Sequence, residues 1–215
     1  MKLVKVLMLT RAAAWRAAPM MTMAGSKPLT LPVKGEESLM SKKAHGTCEK
    51  PVQEDLRWAC DRETADRICC FNRHYAEYGQ SPRARASSCP YSLLALTVCL
   101  SLAVTAGYWR KTNFLKEMAA EGKDKAGEID FYDSVSGAKL FTAPRGRTFE
   151  EFVKESDAHG WPSFRDEEVN WDHVRVLDDG ETVSTVGTHL GHNLPDRNGN
   201  RYCINLVSVA GREVK

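Results

Sequence analysis

From Arg110 to its end the chain has almost no cysteine. Six of its seven cysteines (Cys48, Cys60, Cys69, Cys70, Cys89 and Cys99) come earlier, and only Cys203 follows. A disulfide scaffold is therefore excluded for the C-terminal region. Residues 1–35 lack acid altogether, with six Lys/Arg and no Asp or Glu. Neither half has a dense basic patch interleaved with aromatics, which argues against a nucleic-acid partner. Paired Cys-x-x-Cys knuckles are missing, which argues against a conventional structural zinc site. No Asn-x-Ser/Thr sequon supports a glycosylated lumen.

What is present divides the 215 residues into segments. Residues 1–35 read as a basic leader, with Arg11 and Arg16 among alanines. They fit a mitochondrial or plastid transit sequence, a weak secretory signal, or an extension with no address. Residues 36–90 are polar and are expected to be largely disordered. Within them Glu54 to Phe71 has helical spacing in two sets that are out of phase. Cys60, Cys69, Cys70 and His74 lack zinc spacing. They are read as ordinary residues or as redox partners, and Gln80 to Ser88 as a linker.

Residues 91–109 run from Tyr91 to Trp109 without a charge. As a helix they would be roughly 28 Å long, close to the thickness of a bilayer's hydrocarbon. A membrane anchor, a cleaved signal-like segment and a buried helix all remain open. A charged connector is expected over residues 110–127. From residue 128 to the end the pattern is that of a small antiparallel β domain. Strands are expected at Ile129–Tyr132, Ala138–Thr142, Val169–Leu177, Thr182–Thr188 and Arg201–Leu206. Thr148 with Glu151 forms a capping box opening a short helix. From Arg110 to the end there are 15 Lys/Arg against 19 Asp/Glu, a mildly acidic balance.

The chemistry concentrates near the C-terminus. His189-Leu190-Gly191-His192 precedes Arg201-Tyr202-Cys203-Ile204-Asn205, with an Asn198-Gly199 turn signal between them. Such a turn brings Cys203 back toward His189 and His192. On a regular strand Arg201, Cys203 and Asn205 share one face, and Tyr202, Ile204 and Leu206 the other. A thiol beside two imidazoles is a candidate activated nucleophile.

These two motifs, with Gly160-Trp161-Pro162-Ser163-Phe164 upstream, resemble the methionine-R-sulfoxide reductase (MsrB, or SelR) domain over roughly residues 128 to 211. The resemblance implies two antiparallel sheets with short helices. It implies thiol-dependent reduction of peptide-bound methionine-R-sulfoxide through a Cys203 sulfenic acid, as in protein repair under oxidative stress. His189 and His192 would handle the proton, and Arg201 would favour the thiolate. Asn205 and Asp196 would orient the site. Trp161, Pro162, Ser163 and Phe164 would receive the substrate, Trp161 walling a methyl pocket and Phe164 serving either pocket or core.

The chain departs from the family pattern twice. Many members hold zinc with two Cys-x-x-Cys pairs; here Asp133 and Ser136 stand at the first and Val183 and Val186 at the second. A zinc-free form with no bound cofactor is expected. Where many members have a resolving cysteine this chain has His159, so thioredoxin, glutaredoxin, a small thiol or an N-terminal cysteine would regenerate Cys203. Oxidised proteins or peptides are the expected substrates, and the compartment stays open among plastid, mitochondrion and endomembrane. The alternative is a non-catalytic, membrane-tethered binding module on the same β fold.

Overall fold

A computed structural model describes residues 30–73, 112–123 and 127–214. The leader before residue 30, His74, the Gln80–Ser88 linker and the apolar stretch 91–109 lie outside the described residues. Among the described residues no helix is long and apolar enough to cross a membrane.

Two antiparallel sheets carry the fold, as expected of a mainly β chain. The first pairs β1 (Ile129–Tyr132) with β2 (Lys139–Ala143). The second has five strands: β3 (Ser163–Phe164), β4 (Val174–Val176), β5 (Glu181–Ser184), β6 (His189–Asn193) and β7 (Tyr202–Ile204). Their order is β3-β7-β6-β5-β4, every neighbour antiparallel. The expected Val169–Leu177 strand shrinks to three residues because 170–173 turn back on themselves, His173 N donating to Asn170 O. The Thr182–Thr188 strand stops at Ser184, where Gly187 N closes a turn onto Ser184 O. The strand through Cys203 ends at Ile204, and Leu206–Ser208 turn into a 3-10 helix.

One helix sets the entry to the site. Thr148 and Glu151 form the expected capping box at the start of α3 (Phe149–His159). Two orphan backbone donors are thereby satisfied. Gly160 ends the helix at φ 84°, a left-handed cap that a side chain would strain. Ser156, on the last turn, receives the backbone N–H of Ser163 at 3.1 Å. The Trp161-Pro162 link is thus tied at both ends. Below it Phe131, Phe141, Phe152 and Phe164 form a buried aromatic cluster, with Phe141 and Phe164 stacked at 4.2 Å.

The expectation of disorder over residues 36–90 fails for the described part. Residues 34–73 form a strap around the domain. Gly35 N donates to Val176 O, and Val176 N to Val33 O, so the strap covers the β4 edge. Met40 packs against Leu177 and Val183, while Cys48, Val52, Trp58, Ile68, Cys69 and Cys70 enter the main core. Asp61 caps α1 (Arg62–Asp66), which continues as one π turn over Arg67–Phe71. The expected connector at 110–127 contains α2 (Phe114–Ala120), whose Phe114 and Met118 are fully buried. Phe114 sets its ring edge-on to Trp58 at 5.0 Å. Both segments hide their apolar residues singly, in 3-10, α and π turns, so no sustained period marks them in the sequence.

Candidate active site

The register of the five-stranded sheet builds the site. Ser163 pairs with Cys203, Cys203 with His192, and His192 with Glu181. Residues directly opposite one another share a face. These four side chains therefore form one rung across four strands, with the thiol bracketed by a hydroxyl and an imidazole.

His189 joins this face through an irregularity. Residues three apart on a regular strand point to opposite sides. Here Thr182 pairs with Gly191 and Val183 with His189, so Leu190 is an extra residue. The bulge returns His189 to the His192 side, and the two rings lie 5.7 Å apart, edge to face. Gly191 permits the bulge: a Cβ there would fall 2.0 Å from Cys203 O.

His189 is buried, and its Nδ1 lies 2.6 Å from Glu181 Oε1. Glu181 is fully buried. Burial alone would raise its pKa, but bonds from His189 and Arg73 prevail and hold it below the usual carboxylate range. An ionised carboxylate only accepts, so Nδ1 carries the hydrogen and Nε2 is the ring's titrating nitrogen. Arg73, from the end of the strap, donates through Nε to Glu181 Oε2 at 2.6 Å and also reaches Glu37. Sequence reasoning missed both Glu181 and Arg73. Glu181 carried a signal, since it is a carboxylate on the same strand face as Val183; Arg73 carried none.

The remaining expected residues divide. Asn205 is buried and its N–H bonds Leu190 O at 2.8 Å. Pro162 O accepts from Ile204 N at 3.0 Å, which brings Trp161 to the level of Asn205. Trp161 Nε1 and Asn205 Nδ2 are buried donors that find no hydrogen-bond acceptor among the described residues. Arg201 is nearly buried, its Nε 3.6 Å from Asp196. Asp196 chiefly receives Arg165, at 3.0 and 3.1 Å, which with the Asn198 N–H holds its pKa down at about 2. It thus serves the loop and reaches the site only through Arg201. His159 is held below the usual imidazole pKa by burial and then by the Arg201 charge.

Of the two readings of Phe164, pocket or core, its surroundings are those of the core: it is fully buried and stacked on Phe141. Tyr202, paired with it, also faces inward and donates to Asp166 at 2.6 Å. Ser163 is buried, and its carbonyl accepts from Arg147, which also pairs with Glu168 through two bonds of 2.9 and 2.6 Å. Ser163 therefore fixes β3 beside the thiol.

Where many family members bind zinc, the residues do not fit that ion. Val183 and Val186 offer no donor atom. Buried Asp133 already accepts from Val135 N, Ser136 Oγ and Thr188 Oγ1.

Comparison with known proteins finds two relatives. A curated peptide methionine sulfoxide reductase MsrB from Methanosarcina mazei is 33% identical over 90 residues, covering 37% of this chain and 64% of that protein. An MsrB from Methanosarcina barkeri is 33% identical over 90 residues, covering 63% of its length. No protein-family model and no solved structure matches the chain. The chain thus spans just under two thirds of the length of the curated relatives it matches, and over that stretch it is similar to these two peptide methionine sulfoxide reductases MsrB.

Proposed function

We propose that the protein reduces peptide-bound methionine-R-sulfoxide to methionine. The observation that carries this reading is the rung Ser163–Cys203–His192–Glu181, with His189 returned to its face. A sulfoxide has an electrophilic sulfur, a basic oxygen and an apolar methyl. Cys203 as thiolate attacks the sulfur, while a proton from the His189/His192 pair goes to the oxygen. The S–O bond breaks, methionine leaves and Cys203 becomes a sulfenic acid. Trp161 Nε1 and Asn205 Nδ2 supply donors that a sulfoxide oxygen would satisfy, and the indole face supplies a wall for the methyl group.

The sulfenic acid is then reduced by two external thiols. The first forms a mixed disulfide with Cys203 and releases water; the second displaces Cys203 as thiol and leaves as a disulfide. A thioredoxin- or glutaredoxin-class protein or a small thiol fits this role better than Cys60 or Cys69. Burial raises the Cys69 thiol well above its usual pKa, and raises Cys60, also near Glu117, to about 12. Neither is an activated nucleophile. Residues 91–109 are the proposed tether. The donor set at Asp133, Ser136, Val183 and Val186 supports a zinc-free form.

The test is turnover of the full chain with dithiothreitol and each epimer of a methionine-sulfoxide peptide. Turnover of the R epimer, lost in Cys203→Ser, is expected. A folded protein that turns over neither epimer would leave only a binding module on this sheet.

A further inference from the structure

Away from Cys203, two sulfurs lie closer than unbonded atoms rest. Cys48 Sγ and Cys70 Sγ are 2.6 Å apart, and both residues are buried. Non-bonded heavy atoms settle about 3.5–4.0 Å apart. The backbones around them are clamped. Thr47 N donates to Cys70 O at 2.8 Å, and His45 and Cys48 exchange backbone bonds of 2.8 and 3.0 Å. At Gly46 the approach is so close that a Cβ would fall 2.0 Å from Cys70 O. The two sulfurs therefore have little freedom to move apart.

A thiol–thiol hydrogen bond would leave the sulfurs at the separation of unbonded atoms, farther apart than they are here; two other chemistries place cysteine sulfurs together, a shared metal or a covalent bond. Thiolates about 2.3 Å from one tetrahedral zinc would sit about 3.7 Å apart, so the pair would have to spread by about 1 Å against that clamp. A disulfide bond is about 2.05 Å long and needs a smaller, inward movement. The neighbours also disfavour the ion. His45, Asp66 and Cys70 have metal-capable atoms within 4.8 Å of one another, but that group does not include Cys48. His45 Nε2 and Asp66 Oδ2 already meet at 2.8 Å, and Asp66 Oδ1 receives Val52 N at 3.0 Å. The contact with Cys48, and then burial, push the Cys70 thiol up, which works against a thiolate ligand.

We propose that Cys48 and Cys70 form a disulfide that closes a loop within the strap and so fixes the strap's own fold against the core. The loop would enclose Val52, Trp58 and Ile68, all core residues, and Arg73 follows three residues beyond. The oxidant is a small-molecule disulfide of the glutathione class, acting before folding buries the pair. One cysteine thiolate attacks it and releases one thiol, leaving a mixed disulfide. The second thiolate displaces the other thiol, so two cysteines are oxidised as one small disulfide is reduced. This inference does not depend on methionine sulfoxide turnover.

The full chain is refolded in a reduced/oxidised glutathione buffer, alkylated under denaturing conditions, digested without reductant and mapped by mass spectrometry. A peptide joining Cys48 to Cys70 and lost on reduction is expected. The oxidised protein should also unfold at a higher temperature than the reduced one, and a Cys48→Ser/Cys70→Ser variant should lose that response. Both thiols fully alkylated in natively folded protein would overturn the proposal. So would Cys70 joined to another cysteine, or stoichiometric zinc released as the two thiols become free. The mapping is done on the unsubstituted chain, so a poorly folding variant does not weaken it.

Discussion

Glu181 Oε1 stands 2.6 Å from His189 Nδ1 at a point where both side chains are buried. The carboxylate fixes the ring's tautomer and steadies the imidazolium that forms whenever Nε2 takes a proton. Glu181→Gln keeps the shape and removes the charge. General acid–base assistance is worth about 10²–10⁴-fold, so kcat with the sulfoxide peptide should fall by about 10–100-fold with little change in KM. The acid limb of the pH–rate profile should also move, which a merely structural role would not cause. A kcat within about twofold of the parent and an unmoved limb would assign the proton to His192 alone.

Trp161 and Phe164 belong to one motif but face different surroundings. Phe164 is fully buried in the aromatic cluster, whereas Trp161 is 8% exposed beside Cys203's strand. Phe164→Ala should cost about 3–5 kcal/mol of stability by chemical denaturation. Trp161→Ala should cost much less stability and raise KM several-fold. The reverse pattern would move the methyl pocket from Trp161 to Phe164.

Much of this was legible because it is local. The alternation around Cys203, the turn at Asn198-Gly199 and the capping box at Thr148 and Glu151 each rest on residues a few positions apart. The Ser163–Cys203 pairing rests on residues forty apart and was not read in the sequence; the resemblance put both residues in one site without pairing their strands. The strap was illegible for a physical reason. Its buried residues Cys48, Val52, Trp58 and Ile68 follow neither a helical nor a strand period, because the segment turns through 3-10, α and π geometry. The Glu181–His189–Arg73 chain was hidden twice, by the bulge at Leu190 and by an arginine more than 100 residues from its partner.

Acid should release the loop beside the site only near pH 2. Arg165 and the Asn198 N–H hold Asp196 at about 2, below its ordinary 3.8. A depressed carboxylate stabilises the fold above the ordinary value, and that contribution is lost as pH falls through about 2. The Asp196 side-chain carboxyl, followed by carbon NMR, should titrate near the lower value. Arg165→Gln should return it toward the ordinary one and shift the acid unfolding midpoint upward. A parent titration at the ordinary value would mean the ion pair does not persist in solution.

The strap makes a stronger claim about which part of the chain can fold. A fragment of residues 110–215 contains every residue of the rung but none of the strap. It would expose the surfaces of Phe114 and Phe131 that Trp58 covers at 5.0 and 5.5 Å. It would also lose the Gly35 and Val33 bonds along the β4 edge and the Arg73 contact to Glu181. Each large buried side chain is worth about 1.5–3 kcal/mol, and a small domain has about 5–15 kcal/mol in all. Losing Val52, Trp58 and Ile68 together should leave the fragment unfolded or aggregated, seen as lost near-ultraviolet circular dichroism. Adding residues 30–73 as a separate peptide should restore part of that signal. A fragment that melts cooperatively at the full chain's temperature would show that the strap lies on the domain without supporting it.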